Sequence, residues 1–344
     1  MNILVYEYST AQAPTASTIT EGISMLKALT NSFTVCGHHV ITIIHPSLKE
    51  SLNRDTTPGS TNTASYELIR DLAENKLVLF GTQFEDALKD CVAGLVIAPE
   101  ERGILQELSA TLEGYGKRNL GCPSRQILNS ANKYLSFSLL KKAGVKTPLT
   151  KLLKGNKNSL DDLSGFNYPF IIKPVDGCDS RQVYLVENND DLEIALQAFH
   201  KMQPILIQEH IQGEHLSVTL LGRGENVYPL SLNLQEFRCR KPFHYSGGTT
   251  GIKHPMREKI FTQAIKAWRA TGTSGLGGVD LVVSHSGIYV VEINPRPTAP
   301  VIAIASCPSY NLGEMIIHTA FREGVKIPLF NETVRFDVNH LSSP

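Results

Sequence analysis

The stretch Gly277-Gly278-Val279-Asp280-Leu281-Val282-Val283, followed by Gly287-Ile288-Tyr289-Val290-Val291-Glu292-Ile293-Asn294-Pro295-Arg296, decides the fold of this chain. Both runs are short, rich in β-branched residues and bounded by Gly or Pro, which predicts two strands. Ser284-His285-Ser286-Gly287 forms the turn between them, so we expect a hairpin. Its first strand is predicted to begin at Asp280.

Three polar residues of this hairpin are expected to lie on one face. Alternate residues of a strand point the same way, so Glu292 and Asn294 project together. Antiparallel pairing can bring Asp280 beside them. Two carboxylates and an amide oxygen are hard ligands, which suit Mg²⁺ shared with phosphates better than zinc. From the hairpin alone, an ordinary polar strand end explains the pattern equally well.

Composition excludes several function classes. The 344 residues are enough for two or three domains of roughly 100–200 residues each. Lys plus Arg and Asp plus Glu both number 33, so the basic excess typical of a nucleic-acid-binding protein is absent. No apolar run approaches the roughly 18 residues of a membrane span, and no charged leader is evident, so we expect a cytoplasmic protein. The six cysteines form no CxxC pair, which predicts free thiols.

Residues 1–125 alternate strands with helices, which predicts a parallel sheet covered by helices. We expect strands at 3–8, 40–44, 77–80 and 95–98, helices at 18–33, 66–72, 84–91 and 103–112, and a loop at 51–64. Ligands of such sheets bind beyond the carboxyl ends of the strands. Glu7 and Glu100 are therefore candidates to face a substrate, with loop residues or helix caps as the alternative. No G-x-G-x-x-G follows the first strand, which disfavours a dehydrogenase.

The next segment contains two lysines that could bind phosphate. A helix is predicted over residues 125–143 and carries Lys133, and a strand over 170–174 has Lys173 near its end. The polar turn Asp176-Gly177-Cys178-Asp179-Ser180 follows, and backbone N–H groups of such a turn can bind an anion. A solvated lysine at a strand end is the alternative for Lys173.

The remaining elements complete a second α/β region. We expect strands at 182–186, 206–211, 215–220 and 228–234, helices at 190–202, 256–272 and 311–322, and a tail from about residue 331 that can add one strand. A polar, basic loop is predicted to contain Arg238, Arg240, Lys241 and His244.

Taken in order, these residues resemble the ATP-grasp superfamily over about residues 115–325. The resemblance is carried by Lys133, Lys173 with its glycine turn, Gln208-Glu209-His210-Ile211-x-Gly213, Asp280 and Glu292-x-Asn294. Within the superfamily, Glu7-Tyr8, Ala98-Pro99-Glu100 and the stretch from Glu292 to Thr298 are similar to carboxylate–amine ligases, especially the archaeal-type tyramine–glutamate ligases of methanofuran synthesis. The resemblance implies an α/β pre-grasp domain at 1–125 with a parallel sheet, a small α+β lid at 126–212 and an antiparallel-sheet domain at 213–344.

The resemblance also implies roles for individual residues. ATP would be bound by Lys133, Lys173, Asp176, Gly177, Ser180, Gln208, Glu209, His210, Ile211, and either Glu214 or His215 at the ribose. Two Mg²⁺ ions, with Mn²⁺ as a substitute, would be bound by Asp280, Glu292 and Asn294. Lys173 and Arg296 would be catalytic, and the substrates would contact Glu7, Glu100, Arg240, His244 and Arg296. Cys178 stands where many relatives have glycine, which leaves the contacts of that turn open.

The chemistry implied is activation of a carboxylate. Transfer of the γ-phosphoryl group of ATP gives an acyl phosphate, which an amine attacks; phosphoryl transfer needs positioning and charge neutralisation. Glu100 or solvent could accept the amine proton, and a closing lid would exclude water. The basic residues favour an acidic substrate such as glutamate, although a solvated loop explains them equally well. Two alternatives remain, a non-catalytic ATP-binding sensor or scaffold and an ATP-grasp carboxylase or phosphotransferase. The resemblance also suggests a homodimer.

Overall fold

The computed structural model describes residues 1–12, 19–48, 77–153, 163–177, 182–199, 204–240, 242–307, 309–321 and 327–337. The predicted loop at 51–64, the predicted helix at 66–72, and Cys178, Ser180 and Lys241 lie outside these residues. For residues 238–240 the backbone alone is described, so the side chain of Arg240 also lies outside the description.

The N-terminal part is a five-stranded parallel sheet, as the alternation of strands and helices predicted. Its strands are β1 (Asn2–Glu7), β2 (His39–Ile44), β3 (Leu77–Phe80), β4 (Ala93–Ile97) and β5 (Arg118–Asn119), in the order β3-β2-β1-β4-β5. Its helices are α1 (Tyr8–Ala11), α2 (Ile19–Val35), α3 (Phe84–Lys89) and α4 (Ile104–Gly114), with a 3₁₀ turn at Glu101–Gly103. Apolar side chains cover both faces, because Ile3 and Val5 pack in one core cluster while Leu4 and Tyr6 pack in another.

The middle part is a smaller antiparallel sheet with helices beside it. Its strands are β6 (Thr150–Leu153), β7 (Phe170–Pro174), β8 (Tyr184–Val186) and β9 (Ile205–Glu209), in the order β6-β9-β7-β8. Its helices are α5 (Ser124–Ala131), α6 (Lys133–Lys142) and α7 (Asn189–Gln197).

The prediction of a single helix over residues 125–143 is wrong, because Asn132 separates two helices there. The Asn132 side chain accepts hydrogen bonds from the backbone N–H groups of Tyr134 and Leu135, at 3.1 and 2.9 Å. This is an N-cap, which satisfies amides that have no partner within the helix. Lys133 is therefore the first residue of α6. It contacts the turn after β7, a strand of the antiparallel sheet β6–β9, which is called the lid sheet below.

The C-terminal part is a six-stranded antiparallel sheet in the order β14-β13-β10-β11-β12-β15. The strands are β10 (Glu214–Arg223), β11 (Asn226–Arg240), β12 (Phe243–Thr250), β13 (Gly275–Ser284), β14 (Gly287–Asn294) and β15 (Val334–Asp337), and the helices are α8 (Arg257–Thr271), α9 (Pro300–Ser306) and α10 (Leu312–Phe321). The hairpin of β13 and β14 and the predicted strand in the tail are confirmed.

Two details of the C-terminal prediction are wrong. The strand that carries Asp280 begins at Gly275 rather than at Asp280. The residues predicted as a basic loop lie in a second hairpin, because β11 continues to Arg240 and β12 begins at Phe243.

One face of the C-terminal sheet packs against α8, where the Trp268 side chain is completely buried. Gly277 lies under this indole, and a Cβ atom there would be 2.8 Å from the Trp268 ring and 2.3 Å from the Asn294 carbonyl oxygen. The first glycine of the Gly-Gly pair is therefore required by packing. The opposite face of the sheet is left for the polar residues. None of the helices in the described ranges is long and apolar enough to cross a membrane.

Candidate active site

A cleft enclosing about 900 Å³ lies between the lid sheet and the C-terminal sheet. This space includes a part that is open to solvent. The cleft brings together most of the residues predicted to bind ATP. It is lined by Lys133, Pro148, Ile171, Lys173, Pro174, Gly177, Val183, Gln208, Glu209, His210, Ile211, His215, Gln235, Phe237, Phe243, Asp280, Leu281, Val282, Val291 and Glu292.

The register of the C-terminal sheet builds a polar row at the floor of this cleft. Asn233 of β11 is opposite Ser217 of β10, Ser217 is opposite Asp280 of β13, and Asp280 is opposite Glu292 of β14. Paired residues of neighbouring strands share a face, so four strands contribute one polar side chain each. The predicted pairing of Asp280 with Glu292 is confirmed.

The two carboxylates of the row lie side by side with little compensation for Asp280. Burial and then the neighbouring Glu292 raise the pKa of Asp280 to about 7, while hydrogen bonds from Asn294 and Gln235 oppose the rise. Asn294 Nδ2 donates to Asp280 Oδ2 and Gln235 Nε2 donates to Asp280 Oδ1, both at 3.1 Å. In this arrangement Asn294 presents its amide nitrogen to Asp280, so its amide oxygen would have to turn towards the carboxylates to bind the same cation.

Two lysines lie against these carboxylates. Lys133 Nζ is 2.9 Å from Glu292 Oε1 and also donates to the carbonyl oxygen of Gly177. The backbone N–H of Lys133 donates to Val175 O at 2.9 Å, so both ends of this residue contact the turn after β7. Lys173 is 3% exposed. The pKa of Lys173 is lowered to about 8, mainly by burial; Glu292 opposes this change most strongly, Lys133 adds to it and Asp280 also opposes it.

Glu292 lies between the two lysines. Burial alone would raise its pKa, but the positive charges of Lys133 and Lys173 keep the pKa below the ordinary value of a glutamate. The site therefore contains a carboxylate that stays ionised beside one that holds a proton more readily. Cationic ammonium groups and carboxylates arranged this way can bind phosphate oxygens and divalent cations together.

The segment predicted to be the hinge connects the lid to the C-terminal sheet. The Glu209 N–H donates to Leu149 O at 2.8 Å, and its carboxylate accepts from the Leu149 N–H at 3.2 Å. Gln208 Nε2 donates to Thr150 Oγ1 at 2.8 Å. His210 and Ile211 follow the end of β9 and line the cleft. A flat heterocycle could contact this backbone and the apolar side chains beside it.

The choice that the sequence left open between Glu214 and His215 depends on strand register. His215 is opposite Val282 and lines the cleft, and its ring packs against Phe237 with the centroids 5.1 Å apart. Glu214 points to the other face, where its carboxylate is 3.2 Å from His254 Nε2. His254 Nδ1 accepts from the Met256 N–H at 3.0 Å, which leaves Nε2 to donate to Glu214.

The two glutamates predicted at the ends of parallel strands have different surroundings. The Glu7 carboxylate accepts hydrogen bonds from the N–H groups of Ser9 and Thr10, at 3.1 and 2.8 Å, and so caps α1. Glu100 pairs instead with Arg296, whose Nε is 3.1 Å from both carboxylate oxygens. The structure therefore brings Glu100 and Arg296 together and gives Glu7 a capping contact.

The remaining predicted residues lie around the rim. Asp176 Oδ2 accepts from the backbone N–H of Arg102 at 3.1 Å, which joins the turn after β7 to the N-terminal sheet. His244 is exposed, is opposite Cys239 in the second hairpin and does not line the cleft.

Sequence reasoning missed several residues of the cleft, among them Gln235, Phe237 and Phe243. Gln235 hydrogen-bonds to Asp280, while Phe237 and Phe243 form an aromatic wall with ring centroids 5.6 Å apart. The signal was present, because Asn233, Gln235 and Phe237 alternate along one strand and must share a face. The predicted strand ended at residue 234, so it did not include Gln235 and Phe237.

Comparison with protein families agrees with the fold and the cleft. A model of the ATP-grasp domain matches residues 130–300, and a model of the pre ATP-grasp 3 domain matches residues 60–127. The chain belongs to the ATP-grasp carboxylate–amine ligase family, and it has the ATP-grasp fold that the ordered motifs predicted. It is an ATP-dependent ligase, and the sensor and scaffold alternative is disfavoured because the lysines and carboxylates of the site are all present.

Individual relatives extend this result. The tyramine–L-glutamate ligase of Methanocaldococcus jannaschii is 31% identical over 343 residues, which are 97% of this chain and 94% of that protein. The tyramine–L-glutamate ligase of Methanocaldococcus fervens is 37% identical over 230 residues, 67% of this chain and 66% of that protein. The D-alanine–D-alanine ligase of Bacillus anthracis, solved in complex with ATP, is 19% identical with a TM-score of 0.63 over 93% of this chain and 97% of that one, a likeness of fold.

Proposed function

We propose that this ligase joins a carboxylate of L-glutamate to the amine of tyramine and converts ATP to ADP and phosphate. The observation that carries the substrate assignment is the 31% identity to a tyramine–L-glutamate ligase over almost the whole length of both chains. Because the similarity includes the N-terminal sheet as well as the ATP-grasp part, it covers regions that would select the acid and the amine. The cleft supports the reaction type independently.

The residues at the cleft floor fit magnesium. Asp280, Glu292 and Asn294 supply two carboxylates and an amide oxygen on one face, which is the donor set of a hard cation. Burial is the main cause of the raised pKa of Asp280 and the neighbouring Glu292 adds to it, so a bound cation would favour the ionised form of this carboxylate. When bound at these residues, Mg²⁺ would neutralise negative charge on the phosphates of ATP. We propose two such ions, with Mn²⁺ as a substitute.

The first chemical step is phosphoryl transfer to the substrate carboxylate. A carboxylate oxygen attacks the γ-phosphorus, the bond from this phosphorus to the bridging oxygen breaks, and ADP leaves. Lys133 and Lys173 are placed to bind the phosphates, since their ammonium groups lie beside Glu292 at the cleft floor. Lys133 would exchange its contact with the Gly177 carbonyl for a phosphate oxygen. Arg296 would contact the substrate carboxylate and then the acyl phosphate.

The second step is attack by the amine. The amine nitrogen forms a bond to the acyl carbon, the carbon–oxygen bond to phosphate breaks, and the nitrogen loses a proton to solvent. An acyl phosphate hydrolyses in water, so the cleft must close before it forms. The backbone N–H of Phe243 donates to Val183 O at 2.7 Å, which joins the second hairpin to the lid across the cleft. This contact holds the second hairpin against the lid, and the part of the cleft that is open to solvent would have to close around the substrates.

Nucleotide recognition follows from the order of residues along the cleft. We propose that the backbone at Glu209 to Ile211 contacts adenine and that His215 contacts the ribose, because the side chain of Glu214 is on the other face of β10. Glu7 and His244 were expected at the substrate, but their contacts give no support to that role. The homodimer suggested by the resemblance stays a prediction.

ADP release from Mg-ATP tests the proposal, measured with a matrix of small acids and amines that includes L-glutamate and tyramine. We expect ADP when both are present, together with a product whose mass equals glutamate plus tyramine minus water. Omitting Mg²⁺ should stop the reaction. ADP formed with a different pair would keep the ligase chemistry and overturn the substrate assignment, and bicarbonate-dependent ADP release without an amine would favour a carboxylase.

A further inference from the structure

We propose that Glu100 is a positioning residue, which holds the Arg296 guanidinium in the orientation from which it contacts the substrate carboxylate and the acyl phosphate. The inference rests on the role of Arg296 in the proposed function. It gives Glu100 a different role from the general base that the sequence suggested.

The two side chains are in close contact, because a single N–H group of Arg296 is shared between both carboxylate oxygens of Glu100. Arg296 Nε lies 3.1 Å from Glu100 Oε1 and 3.1 Å from Glu100 Oε2, and Arg296 Nη1 donates to Pro297 O at 3.3 Å. The side chains of Arg296 and Glu100 are 11% and 6% exposed. An arginine side chain has many rotamers in solution, and these contacts fix both the Nε edge and one terminal amino group.

The pair joins two sheets at the candidate site. Arg296 is two residues after the predicted metal ligand Asn294, which ends β14. Its positive charge opposes the rise in the pKa of Asp280 and contributes to the lowered pKa of Glu292. Glu100 follows β4 of the N-terminal sheet, 196 residues earlier in the chain. It begins the 3₁₀ turn Glu101–Gly103 without using its side chain as a cap, so the carboxylate is directed to Arg296.

These contacts favour positioning over proton transfer. Both oxygens of Glu100 face the same Nε–H, so a proton added to the carboxylate would weaken the pair. Losing the Glu100 carboxylate would deprive the Arg296 guanidinium, which is 11% exposed, of a buried partner. Glu100 thus fixes the orientation of the guanidinium rather than exchanging a proton with a substrate.

The chain supplies a matched control. Glu7 lies at the end of β1, the strand that pairs with β4, and is 4% exposed against 6% for Glu100. Its carboxylate contacts backbone N–H groups rather than a cation. Changing either glutamate removes one buried charge at the same edge of the same sheet, but only Glu100 contacts Arg296.

The test is a double-mutant cycle with Glu100→Gln, Arg296→Met, the double variant, and Glu7→Gln as control. Each is assayed with the acid and amine that give the fastest wild-type turnover, so failure of glutamate or tyramine counts against the proposed function and not against Glu100. We expect Glu100→Gln to lower kcat/KM for the acid about 10- to 100-fold and to change KM for ATP less than threefold. In the Arg296→Met background the same change should have less than a twofold effect.

Two further readouts separate positioning from the alternatives. Glu100→Asp keeps the charge but shortens the side chain, so it should also reduce kcat/KM for the acid and remain folded. The pH dependence of kcat in Glu100→Gln should keep the wild-type shape, because no titrating base has been removed. Multiplicative effects of Glu100→Gln and Arg296→Met, loss of the acidic limb of the pH profile, or an equal effect of Glu7→Gln on kcat/KM would overturn the proposal.

Discussion

Two regions of the described residues contain carboxylates that are partly or fully buried, and their partners differ. At the edge of the parallel sheet each has its own compensating group, backbone N–H groups for Glu7 and a guanidinium for Glu100. At the hairpin of β13 and β14, Asp280 faces Glu292, and burial together with this neighbour raises its pKa to about 7. Burial raises the pKa of Glu7 as well, whereas at Asp280 a second carboxylate adds to the rise. The candidate cation site is marked by two carboxylates that face each other, rather than by burial or by the number of acidic residues.

The largest effect should follow from removing a hairpin carboxylate. Glu292→Gln should lower the rate of ADP formation on the order of 1000-fold, because it removes a predicted metal ligand and the partner of Lys133. Steady-state ADP release with saturating substrates measures this. Glu7→Gln is the control and should stay within twofold of wild type. Comparable losses in the two variants would break the distinction between the two regions.

The pH dependence of stability should differ between the regions. The folded-state pKa of Asp280, about 7, is above its ordinary value of 3.8, so this residue favours the folded state at low pH and loses that contribution as the pH rises from about 4 to 7. Between pH 5 and pH 8 the loss is at most about 3 kcal/mol. Urea unfolding without divalent cations, compared between wild type and Asp280→Asn, measures it. Identical pH dependence in the two proteins would show that Asp280 is not perturbed.

A smaller effect is expected at Gly22, which packs on the Glu7 carboxylate. A Cβ atom at Gly22 would be 2.5 Å from Glu7 Oε2. Gly→Ala within a helix normally stabilises by about 0.5–1 kcal/mol, but here we expect Gly22→Ala to lower the free energy of unfolding by about 1–3 kcal/mol through overpacking. Chemical denaturation measures this. Gly114→Ala, at the end of α4 where a Cβ meets nothing within 4 Å, is the control and should not destabilise.

The smallest effect concerns two adjacent residues of β10. His215→Ala should raise KM for ATP about three- to tenfold, since one hydrogen bond or ring contact to the nucleotide is lost. Glu214→Gln should change KM for ATP less than twofold, because this carboxylate contacts His254 on the other face. The reverse order of effects would show that the ribose is contacted by Glu214.

The sequence predicted best what depends on local pattern. The alternation at Asp280, Glu292 and Asn294 predicts a shared face without knowledge of any other element, and the structure places these residues together. The parallel sheet follows in the same way from the spacing of strands and helices. The separation of two helices at Asn132 was not predicted, although it has a local signal, since an asparagine inside a helical run is a candidate N-cap.

Other features depend on contacts that no local pattern contains. The face of His215 is set by the pairing of β10 with β13, and the partner of Glu100 lies 196 residues away. The second hairpin was missed because the polar, basic composition of residues 238–244 is typical of a loop, whereas β12 pairs with both β11 and β15. The polar composition of these residues indicates that they are exposed to solvent. It does not indicate that their backbone groups pair with neighbouring strands of the sheet.

The hydrogen bond from the Phe243 amide to Val183 O gives this enzyme an internal reporter of motion. The bond spans the cleft, so the amide proton can exchange with solvent deuterium only when the lid and the second hairpin separate. The exchange rate of the Phe243 amide therefore measures how often the cleft opens, and the measurement needs neither a dye nor a mutation. A peptide containing Phe243 should take up deuterium more slowly once nucleotide is bound, and the ratio of the two rates gives the free energy by which the nucleotide holds the cleft shut.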